Sequence, residues 1–261
     1  MSSDRRARKG GLGLLAAGVA AIVALSAWQP WKQAPAVDTA ASGSGGVSIE
    51  ALSVPADADV LVFGDSWTYG SAATRPTDGY AYQLEDHTGW DITVDGVRGS
   101  GYMKPGIDGP DFGTRAGWLD PAADYDLIIV QGSINDRLQG ARGYRERVSE
   151  AWDRFERSFP NAQFVVLGPT PHAFPVHEGT ARIDGDLEAE AAERGWWYIS
   201  PLREQWITPQ NYLDYIDTGV GAKHPSDAGH TYLAERLMQA LRERSATTDA
   251  GTEAPLEPAT P

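Results

Sequence analysis

The chain of 261 residues contains no cysteine. This excludes a disulfide framework and any thiolate zinc site. Positive charge is also scarce: 22 lysines and arginines face 36 aspartates and glutamates, for a formal net charge of -14. Such a surface repels phosphate backbones and anionic membranes, so nucleic acid is not expected as a partner. There is no P-loop, no Gly-x-Gly-x-x-Gly nucleotide fingerprint and no His-Glu-x-x-His zinc motif, so neither a cofactor nor a metal is expected. The strand–Gly-x-Ser-x-Gly–helix elbow is missing as well. No internal repeat is visible, and nothing sets an oligomeric state.

The few basic residues are placed unevenly. Arg5, Arg6, Arg8 and Lys9 precede an uncharged run of small and apolar residues from Gly11 to Trp28. Residues 1–32 therefore read as a secretory signal or an uncleaved signal anchor. Ala24-Leu25-Ser26 is a tolerable cleavage site, whereas Trp28, Trp31 and Lys32 suit an interfacial anchor. Either way the chain is expected to be secreted or held on the outer face of a membrane. Residues 33–48, rich in Ala, Ser, Gly and Pro, read as a flexible linker. Residues 245–261 lack periodicity and read as a disordered tail. A domain over 49–244 lies between them.

Within that domain five short apolar runs read as strands: Val60–Phe63, Ile92–Val97, Leu127–Val130, Phe164–Leu167 and Trp197–Ile199. Helical patterns alternate with them, most clearly Tyr80–His87, Tyr144–Phe159, Asp186–Arg194 and Asp227–Arg244. Alternation of this kind gives a parallel sheet with right-handed crossovers. The expected fold is an α/β, flavodoxin-like three-layer α/β/α sandwich on a five-stranded parallel sheet. In strand order 2-1-3-4-5 the first and third strands flank the switch-point crevice. Ser66 follows the first and Asn135 the third, so topology alone brings them together.

Ser66 ends the stretch Gly64-Asp65-Ser66. A serine hydroxyl is inert at neutral pH unless a base takes its proton. His224 suits that role, because Pro225 holds it extended just before a helix that Ser226 caps. His230 falls inside that helix and reads as a packing residue. His172 and His177 flank the loop after the fourth strand, where they would line a cleft, as would Trp67, Tyr69, Tyr102 and Trp118.

Gly64-Asp65-Ser66, Gly99-Ser100-Gly101, Gly132-Ser133-Ile134-Asn135-Asp136 and His224-Pro225-Ser226 occur in that order. Over residues 58–243 the chain resembles the SGNH (GDSL-type) hydrolases. The resemblance implies a metal-independent serine esterase working through an acyl-enzyme. Ser66 would be the nucleophile and His224 the base. Oxyanion donors would be the Ser66 N–H, a glycine N–H (Gly101, with Gly99 as alternative) and the Asn135 amide, while Asp65 would hold the turn. Implied partners are ester substrates: an acetylated glycan, a short-chain lipid or a small ester. The chain departs from the family where Asp-x-x-His is expected, because Gly221 stands three residues before His224. Either Asp217 loops back as the orienting acid or a backbone carbonyl orients the imidazole, leaving a Ser–His dyad. An acyltransferase on the same site and a glycan-binding pseudoenzyme are the other readings that these residues allow.

Overall fold

The computed structural model describes residues 49–246. The expected segments 1–32 and 33–48, and the tail beyond residue 246, lie outside the described residues. All five apolar runs form strands: β1 (Asp59–Gly64), β2 (Asp91–Gly96), β3 (Leu127–Gln131), β4 (Gln163–Leu167) and β5 (Trp197–Ile199). They make one parallel sheet in the order β2-β1-β3-β4-β5. Val62 sits in register with Val94 on one side and Ile129 on the other. β3 is buried along its whole length, as a central strand covered on both faces must be.

The helices are α1 (Ser66–Tyr69), α2 (Tyr80–Thr88), α3 (Phe112–Ala116), α4 (Tyr144–Ser158), α5 (Glu178–Arg194), α6 (Tyr212–Tyr215) and α7 (Asp227–Ala246). Strand side chains alternate between two cores. On one face Val60, Val62, Ile129 and Val165 meet α2 through Leu84 and α7 through Leu233, Leu237 and Leu241. On the other, Leu61, Phe63, Ile128 and Val166 meet Phe112 of α3, Trp152 and Phe155 of α4, and Ile183 and Leu187 of α5. Among the described residues no helix is long and apolar enough to cross a membrane.

Three features differ from the sequence-based expectation. The helix expected over Asp186–Arg194 begins eight residues earlier, at Glu178. Gly179 and Gly185 weaken the local helical signal, but burial of Ile183 on the same face as Leu187 and Ala191 supplies what propensity lacks. The last helix runs to Ala246, into the start of the expected tail. A two-residue antiparallel ladder, β6 (Ile216–Asp217) with β7 (His224–Pro225), pairs Asp217 with His224. It is too short to have left a period in the sequence.

The centre of the sheet sets the stability of the platform. Ile129→Ala removes a fully buried side chain from β3, and is expected to lower unfolding free energy by about 2–5 kcal/mol. Urea denaturation of the two proteins measures it.

Candidate active site

The carboxyl ends of β1, β2 and β3 lead into the three loops that build the site, at the crevice where strand order reverses. β1 leads directly into the four-residue α1, which begins at Ser66. The turn is sharp because Gly64 has no side chain; a Cβ there would collide with Thr68 Oγ1. Asp65 is fully buried and caps α1, accepting the Trp67 N–H at 2.9 Å. Burial pushes its carboxyl up to about 7. These restraints leave the Ser66 hydroxyl at the mouth of a cleft.

His224 lies across from it. Its Nε2 is 2.8 Å from Ser66 Oγ, and its Nδ1 is 2.7 Å from the Gly221 carbonyl oxygen. A carbonyl can only accept, so Nδ1 carries the ring proton and the Nε2 lone pair faces the serine O–H. Gly221 O also accepts the His224 backbone N–H at 3.1 Å. The Asp217 carboxylate, weighed in the sequence as the orienting acid, is bonded elsewhere. Its two oxygens accept the N–H groups of Gly219 at 2.7 Å and Gly221 at 3.0 Å. The reason is the tight β6–β7 loop, which folds the carboxylate onto its own backbone.

Asn135 follows β3 in a short 3-10 turn. Its Nδ2 donates to Ser100 O at 2.9 Å and makes a longer contact, 3.4 Å, with Asp65 Oδ2. The glycine expected to lend its N–H, Gly101, has that N–H committed to Lys104 O at 2.9 Å. What Gly101 provides is room: a Cβ would come within 2.5 Å of the Asp136 carboxylate, which accepts the neighbouring Tyr102 N–H at 2.7 Å. Gly99, the alternative, has φ +76 and lines the cleft. Among the described residues no acceptor takes the Gly99 or Ser66 backbone N–H.

Behind these loops stands a residue that the sequence reading missed. Arg115 of α3 is buried, donating to Gly64 O at 3.0 Å, to Ser100 Oγ at 3.1 Å and to the Asp95 carboxylate at 2.7 Å. One guanidinium thus ties the ends of β1 and β2 to the glycine loop. Its signal in the sequence was absent, because an arginine in a short helix reads as a surface residue.

The cleft has a volume of about 720 Å³ and brings together Ser66, Tyr69, Gly99, Asn135, Gly221 and His224. Tyr69 lines it as expected, with the Arg98 guanidinium 5.3 Å from its ring centre. Trp67 and Tyr102 do not line it. Trp67 belongs to the α2/α7 core, and Tyr102 is buried with its hydroxyl accepting Trp152 Nε1–H at 2.7 Å. In both cases apolar packing claims the ring. Trp118 is exposed away from the cleft. His172 does not line it either; its carbonyl accepts the Tyr212 hydroxyl at 2.5 Å. His177 caps α5 through Nδ1, and His230 is buried against α2, accepting the Tyr80 N–H. A second cleft of about 800 Å³ sits at the opposite, amino-terminal edge of β4 and β5, lined by residues such as Leu52, Trp196 and Trp197. Among the described residues no cluster of three or more His, Asp or Glu side chains is arranged to hold a metal ion.

A parallel α/β sheet with a serine–histidine pair over its carboxyl edge defines a hydrolase of the flavodoxin-like class. The relatives specify which. The chain belongs to the GDSL-like lipase/acylhydrolase family, whose model matches residues 62–232. It is 28% identical over 190 residues to a GDSL lipase of Mycobacterium tuberculosis, covering 68% of this chain and 79% of that one. The fold is similar to that of the aryl esterase of M. smegmatis, with TM-score 0.55, 16% identity, and coverage of 71% and 99% of the two chains. It is also similar to a carbohydrate acetylesterase family member from Sinorhizobium meliloti, with TM-score 0.56, 15% identity, and coverage of 72% and 99%. The protein is therefore a carboxylic ester hydrolase of the GDSL type.

Burial, with the positive charge of Arg137 and Lys223 nearby, lowers the His172 pKa to about 4. The unfolded chain takes up a proton on this ring below about pH 6.5, while the folded chain does so only near 4. The unfolded state thus binds more protons between these values. The contribution is present above pH 6.5 and is lost as pH falls toward 4. Thermal melts across this range are expected to show a smaller acid loss for His172→Gln than for the native chain.

Proposed function

We propose that the protein is an exported serine esterase that cleaves short-chain esters, with acetylated glycans as its substrate class. The observation that carries the mechanism is the 2.8 Å contact between Ser66 Oγ and His224 Nε2, with Nδ1 held by a carbonyl. Ser66 Oγ attacks the ester carbonyl while Nε2 takes its proton. The tetrahedral oxyanion is met by the Ser66 and Gly99 N–H groups and by the Asn135 amide, which gives up its long 3.4 Å contact with Asp65 to donate to it. Collapse breaks the bond to the alcohol, which leaves with the proton from Nε2. A water molecule then repeats the cycle on the acyl-enzyme, releasing the acid and restoring the Ser66–His224 pair.

The cleft lining is mixed: the small Ser71, Ala72 and Ala73 and the charged Arg98 and Lys104 share it with the exposed apolar side chains of Ile107 and Val220. Burying a long chain at about 0.8 kcal/mol per methylene requires a deep apolar channel, and two of the rings expected to line the cleft, Trp67 and Tyr102, are buried in the cores instead. The similar structure named for carbohydrate acetylesterase chemistry supports the same substrate class. Export rests on the basic start and apolar run of residues 1–32.

Ser66→Ala is expected to abolish hydrolysis of p-nitrophenyl acetate while leaving the circular dichroism spectrum unchanged. Asn135→Ala is expected to lose on the order of 10²–10³ in kcat, with KM changed much less. Steady-state kinetics separates the two parameters; a rise in KM alone would make Asn135 a binding residue.

Export is tested in cells expressing the full chain. Esterase activity is expected in the medium or on the cell surface, and deletion of residues 1–32 is expected to retain it inside. Equal distribution of the two proteins would refute export by this segment.

A further inference from the structure

The loop between β6 and β7 is built around Asp217. Besides the two carboxylate bonds to the Gly219 and Gly221 N–H groups, its own carbonyl accepts the Lys223 N–H at 2.7 Å. Gly219 in turn accepts the Ala222 N–H at 3.1 Å. That N–H belongs to the same peptide unit as the Gly221 carbonyl, the group that holds His224 Nδ1. An unbroken series of bonds therefore runs from the Asp217 carboxylate through Gly219 to the imidazole. The loop needs such bracing. Ala222 and Lys223 both take left-handed backbone angles, φ 52 and φ 71, which non-glycine residues adopt only when their surroundings compel them. Gly219 and Gly221 would otherwise leave the segment free.

Position 221 cannot itself carry an acid. A Cβ there would lie 2.6 Å from Ala72 Cβ and 2.7 Å from Asp217 Cβ. The glycine that replaces the expected aspartate is thus part of a different arrangement, in which the acid stands further back and the main chain touches the base.

We propose that Asp217 is a positioning residue for the esterase reaction, acting on His224 through the Gly221 carbonyl rather than by contact. This role rests on the reading of Ser66 and His224 as nucleophile and base. Without the carboxylate, the loop relaxes, the carbonyl leaves Nδ1, and the imidazole loses the tautomer and orientation that aim Nε2 at Ser66. Asp217 lines the cleft, but both its carboxylate oxygens are taken up by its own loop, so the loss is expected mainly in kcat.

The test compares Asp217→Ala and Asp217→Asn with the native full chain, using Asp214→Asn as a control for loss of a nearby exposed acid. Active sites are first titrated, so that misfolded protein does not count. For Asp217→Ala, kcat per titrated site is expected to fall on the order of 10²-fold, the scale of a misplaced catalytic group. KM is expected to stay within about twofold. The labelling rate of Ser66 by a small fluorophosphonate, which needs the activated serine but no substrate site, is expected to fall in parallel. Asp217→Asn keeps one acceptor and falls between, and Asp214→Asn matches the native protein. If Asp217→Ala does not fold, Asp217→Asn is judged by the same criteria. Native kcat and labelling in either folded variant, or a change confined to KM, would overturn the positioning role. A native chain that does not label at all overturns the site reading itself, which is a different result.

Discussion

The hydrogen bond between the Gly221 carbonyl and His224 Nδ1, 2.7 Å long, is the constraint on which the rest of the site depends. An imidazole has two nitrogens and, when neutral, one proton. Only a fixed acceptor on one side guarantees a lone pair on the other. In this chain the acceptor is neutral, so it selects the tautomer but offers less stabilisation to the imidazolium than a carboxylate would. A Ser–His pair oriented in this way suits reactive esters with good leaving groups better than amides, in keeping with the esterase family to which the chain belongs.

Around that bond, three buried charged side chains hold the loops rather than the reacting atoms. Asp65, Asp136 and Arg115 lie almost completely out of water. Asp65 caps the nucleophile's helix and faces Asn135; Asp136 fastens the chain after Gly101; Arg115 joins β1, β2 and Ser100. Arg115 satisfies the Gly64 carbonyl at the end of β1, and the two aspartates satisfy N–H groups of α1 and of the loop after Gly101. Reactive groups thus sit on loops held nearly as firmly as the sheet below them, and the site needs no reorganisation when charge develops.

Much of this was legible in the chain. Short apolar runs separated by helical patterns marked the strands, and the flavodoxin-like strand order then placed Ser66 beside Asn135. What escaped has physical causes. Trp67 and Tyr102 look like cleft aromatics because they follow motif residues, yet the cores on either side of the sheet bury both rings. Sequence favours Gly101 over Gly99, but the turn commits the Gly101 N–H to Lys104 O, which no sequence pattern signals. Arg115 reads as surface charge until its acceptors on Gly64, Ser100 and Asp95 are seen. The two alternatives for orienting His224, an acid or a carbonyl, were opposed in sequence only because a two-residue ladder leaves no pattern. In the structure the carbonyl touches the ring and the acid holds the loop that presents it.

The central claim concerns where the imidazole proton resides, and nitrogen-15 NMR of the histidine-labelled native chain measures that directly. With His224 assigned by comparison with His224→Ala, the ring at alkaline pH is predicted to show a protonated Nδ1 and an unprotonated Nε2. A His224 signal with the proton on Nε2, or an even mixture of the two tautomers, would contradict the account.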